Sequence, residues 1–275
     1  VIGNALHPQY REVLGSYVRD AVVTDLDATC AALIIQSPDF YGTPHTYEAY
    51  RAQCDSVGAK LIVVITEIVS LGLLEPPRAA DIVCGEAQSL GIPMSYGGPH
   101  LGFFACKHEY VRQMPGRLVG ETVDADGRRS FVLTLATREQ HIRREKATSN
   151  VCTNQALAAL ACLTAIMWYG KRGVPLLAQT NYQRAAYLRH RLQTAPNIVV
   201  RGSDASFNEF VLTFPGKNAY DAVEYFRREK IIPGYPLERW YEGFEDSLLV
   251  CVTEVKTKHQ LDHYVEVAAR YANAI

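Results

Sequence analysis

Residues 137–150 read TREQHIRREKATSN, a basic, histidine-containing segment set directly against a hydroxyl-rich helix start. Thr148, Ser149 and Asn150 precede an apolar run over residues 156–169. Their side chains therefore stand beside the unpaired N–H groups and positive dipole end of a helix, where a phosphate is stabilised. Arg138, Arg143, Arg144 and Lys146 outnumber Glu139 and Glu145, and His141 titrates near neutrality. The segment thus suits an anionic cofactor, a carboxylate or a partner protein. A capped helix with a solvated, charged lead-in has the same composition, and spacing alone favours that plainer role.

Other chemistry is sparse. Gly97-Gly98-Pro99 lacks the surroundings of a GxGxxG or GxxxxGK[ST] nucleotide loop and reads as a tight connection, with Gly91 and Ser95 in the same neighbourhood. The seven cysteines are scattered without a CxxC pair or a histidine at finger spacing, which points to neither a zinc module nor a disulfide framework but to a reducing cytoplasm. A net charge of −1 and a pI near 6.8 give no global field for nucleic acid or an anionic membrane surface, so basic chemistry must be local. No run reaches the roughly 20 apolar residues of a membrane span.

The elements that must position these residues follow from periodicity. Short apolar runs at 31–36, 61–66 and 81–85, each bounded by turn residues, read as buried strands. A helix-compatible stretch at 47–57, closed by Gly58, completes a strand–helix–strand unit that builds a parallel sheet. Residues 101–106 make a further strand, and Asp124-Ala125-Asp126-Gly127 joins 117–122 to 130–135 as a hairpin. Residues 150–169 read as a buried helix stopped at Gly170. Beyond Gly173 a helix (176–193), strand (207–214), helix (219–229), strand (248–253) and helix (258–271) form a small α+β unit. The expected domains are 1–173 and 174–275.

Several blocks identify a family. GRLVGETVDADGRRSFVLTL (116–135) and TREQHIRREKATSNVCTNQAL (137–157) resemble the P-protein of the glycine cleavage system, glycine dehydrogenase (decarboxylating), in its first-subunit form. HPQYREVL (7–14), QSPDFYG (36–42), SLGLLEPP (70–77), ADIVCGEAQSLGIPMSYGGPHLGFFACK (80–107) and FNEFVL (207–212) extend the resemblance over nearly the whole chain. It implies a fold type I pyridoxal-phosphate transferase-like large domain, three-layered with a mixed, mostly parallel sheet, and a small C-terminal α+β domain. It also implies a split enzyme, an expected α2β2 assembly, in which a homologous second subunit carries the cofactor lysine. Glycine would lose CO2 there, and its aminomethyl group would pass to the lipoyl arm of H-protein.

Set against the family's His-Lys pair and following Ile-Pro, Ile92 and Pro93 place the lysine position on Gln88 and the histidine position on Ala87. An amide cannot condense with a carbonyl, so pyridoxal phosphate is expected to be bound covalently by the partner and not by this chain. Of the other amines considered, Lys60, Lys107 and Lys146, only Lys146 has site-like surroundings. In the composite site the resemblance gives Thr148 and Ser149 the cofactor phosphate. Arg138, Arg143 and Arg144 would meet a substrate carboxylate, H-protein or intersubunit carboxylates, and His141 would serve proton transfer or packing. Glu67-Ile68 stands where the family has Asp-Pro, and a structural carboxylate is the favoured role for Glu67. The chain is read as lacking the family's front segment and as shortened between residues 18 and 34. Alone it is expected to be inactive, and an orphan interaction module of the same fold is the alternative.

Overall fold

The computed structural model of the chain describes residues 1–114, 118–135, 155–202 and 205–274. Its first sheet is built from runs of branched apolar residues: β1 (Ala32–Gln36), β2 (Lys60–Ile65), β3 (Ile82–Glu86) and β4 (Gly102–Cys106), hydrogen-bonded in that order. β1, β2 and β3 are parallel and β4 runs antiparallel to β3. A helix, α1 (Pro8–Val18), precedes the sheet, and α2 (Glu48–Val57) connects β1 to β2 and ends on Gly58 in the left-handed region at φ 77°. Leu33, Ile35, Leu61, Val63 and Ile65 from the strands enclose Cys54 of α2 and Tyr47 in one apolar core. The parallel connection sends the C-terminal ends of β1, β2 and β3 to the same edge of the sheet, where open α/β sheets leave a crevice.

A hairpin follows, β5 (Leu118–Val123) with β6 (Arg129–Thr134), paired from Leu118↔Thr134 to Val123↔Arg129. The long helical stretch α3 (Ala156–Gln193) leaves helical geometry at Gly170, with φ 62° and ψ −173°. The expected glycine stop is present, and a second helical segment begins at once and carries Pro175 five residues after Gly170. The first segment differs from expectation. It is not a buried helix: Leu157 is 81% exposed, Met167 74% and Trp168 88%, while only Ala158 and Cys162 of this stretch are buried. The small residues are what pack inward. A Cβ on Gly91 would stand 2.7 Å from the Ala165 Cβ and 2.8 Å from the Ala161 oxygen, so the loop after β3 approaches this segment backbone to backbone.

The second sheet has the order β7 (Val199–Arg201), β8 (Glu209–Thr213), β10 (Ser247–Cys251), β9 (Tyr235–Pro236), all antiparallel. Strand alternation sorts its faces. Phe210, Leu212, Leu248 and Val250 pack against the second segment of α3, α4 (Ala219–Arg228) and α5 (Lys258–Asn273), enclosing Leu188, Leu192, Phe226 and Val267. Val211 and Leu249 on the opposite face meet Phe40 and Leu237. Asn218 caps α4, and Thr257 with Gln260 forms a reciprocal capping box on α5. The two sheets are fastened where Gly42, in the turn after β1, accepts a hydrogen bond from the Phe207 N–H at 3.0 Å.

Candidate functional site

The strand-end edge of the first sheet gathers polar residues that an interior strand would not tolerate. The Gln36 side chain is fully engaged: its Oε1 accepts from the His7 N–H at 2.8 Å, and its Nε2 donates to the Pro38 oxygen at 3.0 Å and Thr66 Oγ1 at 3.3 Å. Glu67, just past β2, accepts on Oε1 from the Val69 N–H at 2.9 Å and the Ser89 hydroxyl at 2.6 Å. It thereby caps the 3-10 turn Ile68–Gly72, a structural role. Burial raises the pKa of Glu67 above the usual glutamate value despite these two donors.

At the end of β3, Glu86 Oε1 accepts from the N–H groups of Gln88 and Leu101, both at 2.8 Å, and so closes the loop on which Gln88 stands. Among the described residues the Gln88 Nε2 reaches the Pro93 oxygen alone, at 3.4 Å. Lys60 and Lys107 point elsewhere. Lys60 lies over the Tyr110 ring and Lys107 pairs with Asp81 at 2.7 Å. Among the described residues, the expected connection at Gly97-Gly98 has nothing closer than 3.8 Å to a Cβ built on either residue. The close approach in that neighbourhood belongs to Gly91.

Between the strand-end edge and the second sheet lies a cavity of about 380 Å³. Thr66 and Glu67 line it from β2, Phe40 from the turn after β1, and His7 from the segment before α1. Asn208, Glu209, Leu249 and Cys251 close it from β8 and β10, with Tyr235 and Trp240 alongside. Glu209 is half-buried, and its pKa is pushed up to about 7 by burial first and by the nearby Glu67 and Asp39 second. Desolvation and the neighbouring Glu209 and Glu67 shift the pKa of the Cys251 thiol upward, although the residue itself is exposed. Burial lowers the pKa of His7, whose Nδ1 accepts from the Gln9 N–H at 3.3 Å.

Sequence reasoning did not single out Glu209, Asn208, Cys251 or Trp240. The signal was present in FNEFVL, where Asn208 and Glu209 stand between buried phenylalanines at the start of β8. A charge at an inward position is a site hypothesis in itself. The sequence-derived candidates Arg138, His141, Arg144, Lys146, Thr148, Ser149 and Asn150 lie outside the described residues, between the end of β6 and the start of α3.

The cofactor implied by the resemblance does not fit this cavity. Among the described residues no lysine or arginine lines it, so a phosphate would face Glu67 and Glu209 with no cationic partner. Gln88 offers no amine for a covalent bond.

Comparison with known proteins agrees with the geometry. The family model described as glycine cleavage system P-protein matches residues 1–268. The probable glycine dehydrogenase (decarboxylating) subunit 1 of Protochlamydia amoebophila is 44% identical over 288 residues, covering 97% of this chain and 64% of the relative. The same-named protein of Azorhizobium caulinodans is 45% identical over 277 residues, covering 94% of this chain and 62% of the relative. The chain therefore spans less than two thirds of the length of these relatives. The crystal structure of inhibitor-bound glycine decarboxylase (P-protein) of the glycine cleavage system superposes with a TM-score of 0.89 at 33% identity, over 98% of this chain and 64% of that one. The cysteine desulfurase of Thermococcus onnurineus, at 12% identity and a TM-score of 0.69 over 100% of this chain and 72% of its own, shares the fold alone. The architecture is that of the fold type I pyridoxal-phosphate enzymes, and the chain belongs to the glycine cleavage system P-protein family.

Proposed function

We propose that the chain is the non-lysine subunit of a two-subunit glycine decarboxylase, working with a homologous subunit that holds pyridoxal phosphate covalently and with lipoylated H-protein as aminomethyl acceptor. The observation that carries the reading is Gln88 at the lysine position in a chain similar over nearly its whole length to proteins named subunit 1. The cofactor, when bound by the partner, supplies the electron sink for loss of CO2 from glycine. The exposed apolar face of the first α3 segment and the β5–β6 hairpin, with Val119, Phe131, Val132 and Leu133 outward, supports a permanent protein partner. The division into a partial large domain (1–173) and a small domain (174–275) belongs to the same reading; one apolar cluster lies within each part, and two further clusters, around Val69–Phe207 and Phe40–Leu249, bridge them.

Within that assembly this chain's part is positioning. The hydroxyls of Thr148 and Ser149 and the N–H groups near Asn150 receive an anion at the partner's site, and Arg138, Arg144 and Lys146 counter its charge. His141 holds or moves a proton beside them. Mixing the chain with the lysine-bearing subunit and lipoylated H-protein is expected to give glycine-dependent CO2 exchange that neither chain gives alone. No gain on mixing overturns the reading and leaves an interaction module of the same fold. Thr148→Ala combined with Ser149→Ala is expected to lower pyridoxal-phosphate retention in the mixture, and unchanged retention removes those hydroxyls from the site.

A further inference from the structure

The two apolar clusters that bridge the sheets differ in kind. One joins Val69, Ala87 and Leu90 to Phe207 and Ala178, all of them buried. Beside it the chain is packed to backbone contact: a Cβ on Gly72 would stand 2.7 Å from the Val174 oxygen and 2.9 Å from the Ala178 Cβ. The other joins Phe40 to Val211, Leu237 and Leu249, and half-buried aromatic rings finish it at the surface. These are Tyr41, beside Phe40 in the turn after β1, and Tyr241 and Phe244, from the loop between β9 and β10.

Tyr41 and Phe244 stack with their planes 2° apart and their centroids at 5.8 Å, and Tyr241 lies 5.6 Å from Tyr41 and 5.9 Å from Phe40. Each half of this contact is braced from its own sheet. Asp39 Oδ1 accepts from the Tyr41 and Thr43 N–H groups, both at 3.0 Å, and the Phe40 N–H donates to the Ala5 oxygen at 2.8 Å. On the other side Arg201 of β7 lies over the Phe244 ring at 5.2 Å, and the Phe244 oxygen accepts from the Ser247 N–H at 3.0 Å. Phe40, Leu249 and Trp240 line the cavity at this junction, and the Phe207–Gly42 backbone bond crosses it. Ring contacts hold only within a narrow geometry, so a small rotation of one sheet against the other breaks them while the buried cluster keeps its area.

We propose that Tyr41, Tyr241 and Phe244 form a clasp at which the two sheets part, pivoting on the Val69–Phe207 cluster. When the clasp rings separate, the Phe207–Gly42 bond breaks and the cavity widens while both sheets stay folded. Each sheet has an apolar core of its own, so neither needs the other to remain folded during the motion. The clasp rings are already half-exposed, so parting them uncovers little new apolar surface and lies well below global unfolding in free energy.

The test is hydrogen exchange of the whole chain, resolved to single amides, with the Phe207 N–H compared against the amides of β2 and β8. In the parent the Phe207 amide is expected to exchange faster than the strand amides and with a weaker dependence on urea, because parting exposes little surface. Tyr41→Ala and Phe244→Ala are each expected to speed it about tenfold or more while the strand amides stay within about threefold, and Tyr41→Phe, which keeps the ring, to hold the parent rate. Phe244→Leu removes the stack with less loss of volume and gives the same comparison where an alanine variant does not fold. A Phe207 amide that exchanges only together with the strands in every variant overturns the proposal. Equal acceleration of Phe207 and of both strands also overturns it, since the rings would then be ordinary core. The measurement reads motion within this chain alone, so it succeeds or fails independently of glycine decarboxylation.

Discussion

The Ser89 hydroxyl donates to Glu67 Oε1 across 2.6 Å, tying the loop past β3 to the end of β2 one residue from the position where the family's lysine is replaced by Gln88. The bond opposes burial: desolvation raises the Glu67 pKa, and the Ser89 and Val69 donors lower it. Because the folded value stays raised, the stability associated with Glu67 is fully present below the ordinary glutamate pKa and is lost as pH rises through the folded value. Ser89→Ala should deepen that loss, by about 1–2 kcal/mol at pH 8 and by much less at pH 4.5. Urea unfolding at the two pH values measures it, and an equal deficit at both would show that the hydroxyl does not act through the carboxylate.

Glu209 offers the larger pH effect. Its pKa moves from 4.5 to about 7 on folding, through burial first and then through Glu67 and Asp39. The stability linked to its protonated form is complete below pH 4.5 and lost as pH rises through 7. Glu209→Gln keeps the shape and removes the ionisation, so at pH 8.5 the variant should be more stable than the parent by up to roughly 3 kcal/mol, converging with it at low pH. Thermal melting between pH 4.5 and 8.5 checks this, and parallel curves would contradict it.

How much of this was legible depended on periodicity and on burial. The parallel strands, α2 with its Gly58 stop, the hairpin and α5 followed from apolar runs bounded by turn residues. α1 was missed because PQYREVLGSYV carries a weak apolar stripe, and β7 and β9 because runs as short as Val199–Arg201 and Tyr235–Pro236 are below the length at which alternation shows. The first segment of α3 was misread as buried, since an apolar sequence reports an interface without saying whether the covering surface belongs to the same chain. Gln88 was legible because condensation chemistry has a strict residue requirement. The cavity was not, because His7, Glu67 and Glu209 are far apart in sequence and only the packing of the two sheets brings them together.

That packing is set at Gly42, whose φ is +85° and where an added Cβ would stand 1.9 Å from the Glu209 backbone oxygen. Gly42→Ala must both adopt a left-handed backbone and displace β8, and is expected to cost about 3 kcal/mol or more. Gly58, at φ +77° with nothing within 4 Å of the built Cβ, isolates the backbone term, so Gly58→Ala should cost about 1–2 kcal/mol. Denaturant unfolding of the pair gives the difference, and equal losses would remove Gly42 as the fastening point.

Asp81 anchors the opposite end of the first sheet. It receives the Arg51 guanidinium at 2.6 Å, the Lys107 ammonium at 2.7 Å and the Leu61 N–H at 2.8 Å. Burial pushes its pKa up, but Lys107, the Leu61 amide and Arg51 outweigh it and hold it down at about 2. A depressed carboxylate contributes stability that is present above its unfolded pKa of 3.8 and lost as pH falls through 2. Asp81→Asn should therefore destabilise by about 3 kcal/mol at pH 7, since it removes the carboxylate shared by Lys107 and Arg51 and leaves Arg51 only Asp55 and the Ala59 oxygen, and by little at pH 2. Unfolding free energies at pH 7 and near pH 2 decide it.

The exposed face of α3 carries the last prediction. Leu160, Leu163 and Met167 are spaced at i, i+3 and i+7 on one helix face and are 58%, 53% and 74% exposed. A stripe of this kind costs the monomer solubility without adding to its core, so its charge content can be changed without loss of folding stability. Leu163→Glu with Met167→Lys should leave the melting temperature of the isolated chain within a degree or two and reduce its concentration-dependent association. The same pair should lower co-purification with the lysine-bearing subunit at least tenfold, because two charges that pair only with each other along the helix would lose their hydration at an apolar interface. Sedimentation of the chain alone and of the mixture separates the effects. A lowered melting temperature would place these residues in this chain's own core, and undiminished assembly would move the partner to another face.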